Sequence, residues 1–237
     1  MSSFFLRFFR KLPIIIVKVI CMKFVFLGIF IVFSLIHLFA SKKQNKPLRN
    51  FTKGFIVLAL FGWYVLSVEN PSWIIAGAIL ASWLGDILLI PHGIGWFVAG
   101  GIAFMISHAL FVVAYVPNVD FSIVPWWAIV LVGVVYVVAV IYEFSILKKY
   151  LAKALFYPMF LYLLINGTMN SFAIFRLISV PCFATIITVI GAVLFFISDS
   201  VLFNVRFNKN SVFKTHFLVM FTYILAEFLI VEGLILL

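Results

Sequence analysis

Hydrophobic residues occur in long runs that recur along the whole chain, separated by short segments rich in polar residues, Pro or Gly. Most runs have about the 17–25 residues that an α-helix needs to cross the hydrocarbon core of a bilayer. They lack the period-2 alternation of transmembrane β-strands. The pattern therefore predicts an all-α fold, a polytopic transmembrane bundle of about eight helices, over residues 24–40, 54–68, 73–90, 94–116, 123–142, 154–171, 181–203 and 213–236.

The first 23 residues differ from the rest of the chain. They are basic and aromatic and contain no acid, and no small-residue cleavage site follows their apolar part. We therefore predict an amphipathic N-terminal segment over residues 1–23 that lies at the membrane interface, followed by a transmembrane helical domain over residues 24–237.

Composition supports an integral membrane protein. Hydrophobic residues make up 66% of the chain and charged residues only 10%, whereas about a quarter of the residues of a soluble domain are charged. The net charge of +10 comes from basic residues near the ends of the apolar runs, which is typical of membrane orientation and argues against a nucleic-acid partner. Cys21 and Cys182 lie far apart and predict neither a disulfide framework nor a metal site.

The distribution of Lys and Arg predicts the orientation. Among the even-numbered loops only the break near residue 176 contains a basic residue, Arg176. The odd-numbered loops contain Lys42, Lys43, Lys46, Arg49, Lys53, Lys148, Lys149, Lys153, Arg206, Lys209 and Lys214. Although the basic N-terminal segment favours the opposite orientation, we expect the odd-numbered loops to be cytoplasmic.

Two predicted spans contain a carboxylate inside an apolar run: Asp86 in ASWLGDILLI and Asp199 in LFFISDSVLF. A carboxylate in a span costs about 2.5–3.5 kcal/mol and is expected to face the bundle interior or a cavity. These two spans are four apart and run in the same direction, which favours a fold of two four-helix halves. Each Asp lies about four residues before the end of its span, about 6 Å below the same surface at 1.5 Å per residue. We therefore expect the two acids to meet.

Other polar residues within the spans are candidates for the same site: Ser82, His108, Tyr223 and Glu227. Simpler roles stay open for the two acids and His108: either Asp as an interhelical hydrogen-bonding group, with Arg206 as a partner, and His108 as a hydrogen-bonded core residue. The stripe of Tyr162, Asn166 and Asn170 is more typical of helix association than of a site. We predict no metal site, because His108 lies about 21 Å from the end of its helix and the acids are far shallower.

Four short motifs occur in order along the chain: SWLGDILL at 82–89, GIAFMISH at 101–108, SDSVL at 198–202 followed by Arg206-Phe207, and YILAEFLI at 223–230. Together they resemble the YhhN-like lysoplasmalogenase family, over roughly residues 50–235. The sequence departs from the family pattern in the last motif, where Glu227 stands in place of an expected Gln.

The resemblance implies eight transmembrane helices and a hydrolase that cleaves the vinyl ether bond of lysoplasmalogens. The products are a fatty aldehyde and glycerophosphocholine or glycerophosphoethanolamine. The resemblance implies catalytic roles for Asp86 and Asp199, and we predict that Ser82, His108, Tyr223, Glu227 and Arg206 bind substrate. The expected partners are a lysophospholipid, water and membrane lipids, with no cofactor and no metal.

Vinyl ether hydrolysis requires an acid beside an anion, and two carboxylates that share a low-dielectric pocket can divide these roles. Either Asp can serve as the proton donor; the neighbours Trp83 and Leu89 favour Asp86. An alternative is a transporter or channel that uses the paired acids for a cation or protons. It predicts broken helices near the membrane midplane. A purely structural scaffold would leave the acids unexplained.

Overall fold

The computed structural model describes the backbone of residues 2–208 and 216–237, and the side chains of residues 21–208 and 216–237. The basic side chains of the N-terminal segment up to residue 20, and Lys209 and Lys214, lie outside this part, so their predicted roles stay predictions. The described helices are α1 (Ser2–Lys42), α2 (Lys46–Ser67), α3 (Trp73–Leu88), α4 (Ile94–Tyr115), α5 (Trp126–Leu147), α6 (Phe156–Ser179), α7 (Phe183–Phe207) and α8 (His216–Ile235).

The predicted all-α fold is confirmed for the described residues, which form these helices and no strand. Seven helices are long and apolar enough to cross a membrane. The other, α3, has 16 residues and is about 24 Å long. The protein is therefore a multi-pass helical membrane protein, with α3 as a shorter apolar helix inside the bundle.

The first predicted loop is largely helical. Helix α2 begins at Lys46 rather than at residue 54, because Asn45 caps it: the Asn45 side chain accepts a hydrogen bond from Leu48 N at 3.2 Å. Pro47 lies in the first turn, where its missing N–H removes no helical hydrogen bond. As a result, Lys46, Arg49 and Lys53 project from a rigid helix.

Close approach between helices depends on glycine. A Cβ at Gly85 of α3 would lie 2.6 Å from the ring of Phe104 in α4. A Cβ at Gly191 of α7 would lie 2.9 Å from the carbonyl oxygen of Ala226 in α8. Small residues allow transmembrane helices to approach closely, so the acid-bearing helices α3 and α7 are each held firmly against the following helix.

The pattern of helix contacts repeats between the two halves of the chain. Four contacting pairs become other contacting pairs when each helix is replaced by the helix four positions along: α1·α2 with α5·α6, α2·α3 with α6·α7, α3·α4 with α7·α8, and α4·α6 with α8·α2. Two pairs, α1·α8 and α5·α7, have no counterpart among the described helices. The four matched pairs are those expected of two four-helix halves. They place α3 and α7, and hence the two acids, in equivalent positions.

Helix α5 has a large apolar surface on the outside of the bundle. Its large apolar side chains, among them Val130, Val134 and Val138, are about half exposed. Such a continuous apolar surface is compatible with acyl chains rather than water.

The stretch around Arg176, predicted to be an extramembrane break, is also helical. Arg176 lies in the last turn of α6 and is buried. It is therefore a core residue and carries no information about orientation.

Candidate functional site

Asp86 lies in the last turn of α3 and is 2% exposed. Its Oδ1 is 3.1 Å from Nζ of Lys53 in α2. Its Oδ2 accepts a hydrogen bond of 2.8 Å from the hydroxyl of Tyr223 in α8. Both oxygens therefore face donors, one of them a cation.

Asp199 lies in α7 and is also buried. Its Oδ2 accepts hydrogen bonds from the Tyr162 hydroxyl at 2.6 Å and from Asn166 Nδ2 at 2.7 Å, both on α6. His108 Nε2 of α4 lies 4.0 Å from the same oxygen. All three members of the polar stripe on α6 join helices, as predicted: Tyr162 and Asn166 bind α7 through Asp199, and Asn170 binds Tyr136 of α5. The first two also hold the acid, which was not predicted from the sequence.

The structure brings Asp86 and Asp199 to the wall of one cavity of about 150 Å³. The cavity lies at the end of the bundle where α2 begins and α3 and α7 end. We call it the acid cavity. Among the predicted substrate-binding residues, Tyr223 and Arg206 also line it.

Basic side chains surround the acid cavity. Lys46 and Arg49 of α2 and Arg206 of α7 line it together with Lys53; we call Lys46, Arg49 and Arg206 the basic rim. The sequence reasoning missed Lys46, Arg49 and Lys53 as site residues, because basic residues beside a span indicate orientation. Their spacing of three and four residues, which places them on one face of a helix, was the available signal.

Ser82, His108 and Glu227, predicted to bind substrate, do not line the acid cavity but lie buried behind its wall. Ser82 shares a hydrogen bond of 2.7 Å with Ser107. The Glu227 carboxylate faces Ser82 and Tyr223 without a well-formed hydrogen bond to either. The sequence indicates that these residues are intramembrane, but their depth behind the wall depends on how each helix is rotated.

The depths predicted from helix ends were wrong. Asp86 is two residues from the end of α3 and Asp199 eight residues from the end of α7, about 3 Å and about 12 Å of helix respectively. Helix α7 continues beyond its predicted end, to Phe207, and the two acids nevertheless line one cavity. The depth argument that separated His108 from the acids also fails, since His108 is adjacent to Asp199. Within the described residues no group of three or more His, Cys, Asp or Glu is arranged to hold a metal ion.

The two acids have equivalent surroundings that differ in charge. Each Asp is contacted from the second helix of its own half and the fourth helix of the other half. Asp86 meets Lys53 and Tyr223, whereas Asp199 meets Tyr162, Asn166 and His108. Lys53 brings a full positive charge to Asp86, whereas Tyr162 and Asn166 bring only neutral dipoles to Asp199.

The profile of the YhhN family matches residues 48–234, which is more than half of the 237-residue chain. No curated protein and no solved structure matches the chain. The matched range contains both acids, the residues that hold them, and Arg49 and Arg206 of the basic rim. Of the residues that line the acid cavity, only His37 of α1 and Lys46 lie outside the matched range. The chain belongs to the YhhN family.

Proposed function

We propose that the protein hydrolyses the vinyl ether bond of lysoplasmalogens to a fatty aldehyde and glycerophosphocholine or glycerophosphoethanolamine. The observation that carries the proposal is the pair of buried acids in one cavity, of which, among the described residues, only Asp86 lies beside a Lys or Arg side chain. Membership of the YhhN family supports it.

The reaction begins when an acid protonates the alkene carbon and leaves an oxocarbenium ion. Water then adds to this ion, and the resulting hemiacetal collapses to the aldehyde and the glycerol hydroxyl, so that the net reaction consumes one water. The first step needs a neutral acid, and the cation that it creates is stabilised by a nearby anion. Glycosidases divide these roles between two carboxyl groups in the same way.

Asp199 is the better placed proton donor. Tyr162 and Asn166 donate hydrogen bonds to its Oδ2 but carry no charge, so they stabilise the carboxylate less than the Lys53 cation stabilises that of Asp86. Asp199 is therefore the acid that is more easily kept neutral, with its proton on Oδ1. The sequence neighbours Trp83 and Leu89 favoured Asp86 as the proton donor, whereas these surroundings favour Asp199. The Trp83 indole N–H donates to Gly54 O of α2.

Asp86 is the better placed anion. Lys53 is 3.1 Å away, and a cation at that distance favours the charged form of a carboxylate. In the proposed mechanism Asp86 stabilises the oxocarbenium ion and orients the attacking water. Lys53 keeps Asp86 ionised, while Asp199 donates its proton and is protonated again in each turnover.

The basic rim supports a substrate with a phosphate group. Lys46, Arg49 and Arg206 bring three positive charges to the wall of the acid cavity, and Arg and Lys are the side chains that bind phosphate most strongly. In a lysolipid the vinyl ether lies directly next to the glycerol phosphate. A phosphate on the rim therefore leaves the reactive carbon near the two acids.

The transporter alternative predicts discontinuous helices at the site. Helices α3 and α7, which carry the acids, are each continuous from end to end. This continuity favours the enzyme over the transporter.

The test is turnover of lysoplasmalogen by the purified protein in detergent, with the released aldehyde trapped and quantified. We expect Asp199→Asn and Asp86→Asn each to lower kcat by about 10²–10⁴-fold, the usual contribution of a positioned acid or base. The matched control is Asp120→Asn. Asp120 is an exposed loop residue whose carboxyl pKa is lowered by hydrogen bonds from the Ser122 hydroxyl and backbone N–H, and turnover should not change.

A reaction in D₂O tests the chemistry itself. Protonation of the alkene carbon by an acid predicts one solvent deuterium on the carbon next to the aldehyde in promptly trapped product. Product without deuterium, or full turnover in both Asp variants, would reject the proposal.

A further inference from the structure

A second cavity lies on the outer surface of the bundle, between α4 and α6. It has a volume of about 590 Å³, and its lining is almost entirely apolar. We call it the lateral groove; its lining includes Phe97, Gly101, Ile102, Leu161, Tyr162 and Phe203. Ile102 and Leu161 are about half exposed, so the groove opens sideways toward the surrounding lipid.

The inner end of the lateral groove adjoins the acid cavity. Phe97 lines both cavities. Tyr162 lines the groove with its ring and binds Asp199 with its hydroxyl. The ring of Phe203 lies 5.2 Å from that of Tyr162 and 6.3 Å from that of Phe97, between centroids. Aromatic side chains, those of Phe97, Tyr162 and Phe203, therefore lie between the apolar groove and the acid that is proposed to protonate a carbon.

We propose that the lateral groove binds the single aliphatic chain of the substrate and delivers its first carbons to Asp199. The inference rests on the proposed function for the identity of the lipid. The geometry requires an occupant that is apolar along its length and bears a polar, anionic group at the end nearest the basic rim. A single-chain phospholipid has this distribution.

The dimensions of the groove set which part of the chain it recognises. From Phe97 to Met105 the α4 wall spans nine residues, and the eight steps between them measure about 12 Å at the α-helical rise. Half of a bilayer's hydrocarbon core is about 15 Å thick. The groove therefore holds the part of the chain nearest the head group, and the remainder extends into the lipid.

Gly101 offers a direct way to block the groove. It lies one turn beyond Phe97, and an added Cβ would meet no atom within 4 Å. Gly133 of α5 is the matched control, because it is also helical with nothing within 4 Å of an added Cβ, and it does not line the groove. Both Gly101→Phe and Gly133→Phe should fold.

The first measurement does not depend on catalysis. Ester-linked lysophosphatidylcholine with a 16-carbon chain and a photoreactive diazirine on that chain is irradiated with the purified protein, and the labelled peptides are identified by mass spectrometry. We expect label on 98–105 and 157–164 in excess over the lipid-facing segment 130–138 of α5. Gly101→Phe should reduce this excess by about tenfold and Gly133→Phe should leave it unchanged.

The second measurement uses turnover. For Gly101→Phe, the ratio of kcat/KM for a 16-carbon vinyl ether to kcat/KM for a 4-carbon analogue should fall by at least about tenfold, since shape-selective apolar pockets discriminate on this scale. In Gly133→Phe the ratio should equal that of the unmodified protein.

The outcomes separate this inference from the proposed function. Turnover of lysoplasmalogen with even labelling of α4, α5 and α6 overturns the groove and leaves the enzyme. Label concentrated in the groove without aldehyde release supports a chain site and overturns the proposed reaction. Cross-links between two copies of the chain through the groove peptides would make it a dimer interface and also overturn the inference.

Discussion

Replacing Lys53 by Met removes the cation that neutralises Asp86. At the observed separation of 3.1 Å, two unit charges attract by about 5 kcal/mol at an effective dielectric constant of about 20, before the cost of desolvating both groups is subtracted. The Lys53 side chain is 16% exposed and that of Asp86 only 3%. Because breaking a fully buried pair costs about 3–5 kcal/mol, we expect about 2–3 kcal/mol for this partly accessible one.

The assay is a double-mutant cycle on the free energy of unfolding in detergent micelles. Lys53→Met should lose about 2–3 kcal/mol in the native background, and close to nothing in the Asp86→Asn background, because no buried charge is left without a partner. Lys148→Met, at an exposed position beyond α5, is the control and should change the free energy by less than about 0.5 kcal/mol.

Turnover provides the second readout of the same cycle. A loss of 2–3 kcal/mol of stabilisation of the Asp86 anion corresponds to a rate decrease of about 30- to 150-fold, and Lys53→Arg should retain most of the rate because it keeps the charge. If the effects of Lys53→Met and Asp86→Asn on unfolding add within about 0.5 kcal/mol, the ion pair does not hold Asp86 as an anion. The division of roles between the two acids would then be refuted.

Three further predictions concern helix packing, a buried charge and the orientation in the membrane. Gly191→Ala should destabilise the protein by about 1–3 kcal/mol, since the new Cβ would lie 2.9 Å from backbone atoms of α8, whereas Gly133→Ala should be neutral or stabilising; equal effects in thermal melting would contradict the packing argument. Arg176→Met should leave the free energy of unfolding unchanged or higher, because the buried guanidinium has only a 3.4 Å hydrogen bond to Thr188 and the Tyr115 ring at 5.4 Å, and its Nε has no partner among the described residues; a loss above about 3 kcal/mol would show that these two contacts compensate the charge. With both native cysteines replaced by Ser, Lys148→Cys should react with an impermeant thiol reagent from the cytoplasmic side and Asp120→Cys from the opposite side; the reverse result would invert the predicted orientation.

The basic rim and the lateral groove together suggest how a lipid reaches buried acids. The groove opens toward lipid through Ile102 and Leu161, and the rim lies at one end of the bundle. A single-chain phospholipid entering sideways would place its phosphate and its chain in separate compartments. The vinyl ether bond, which joins the chain to the glycerol, would then lie beside Asp199.

Hydrophobicity determined the class of the protein and the number of helices. Runs long enough to span a bilayer can only satisfy their backbone hydrogen bonds as helices, and the cost of a carboxylate in a span identified Asp86 and Asp199 as interior residues. The equivalence of spans 3 and 7 predicted that these acids meet. The four ordered motifs pointed to the family that the profile match then confirmed.

Helix ends and rotations were decided by tertiary structure. Local capping at Asn45 makes Lys46, Arg49 and Lys53 helical, and the packing of α2 against α3 turns Lys53 toward Asp86. Hydropathy reports only that such residues lie near a span, because it averages over all directions around the helix. The difference between the two acids depends on which neighbour each one meets across the bundle, and such contacts join residues up to 137 positions apart in the chain.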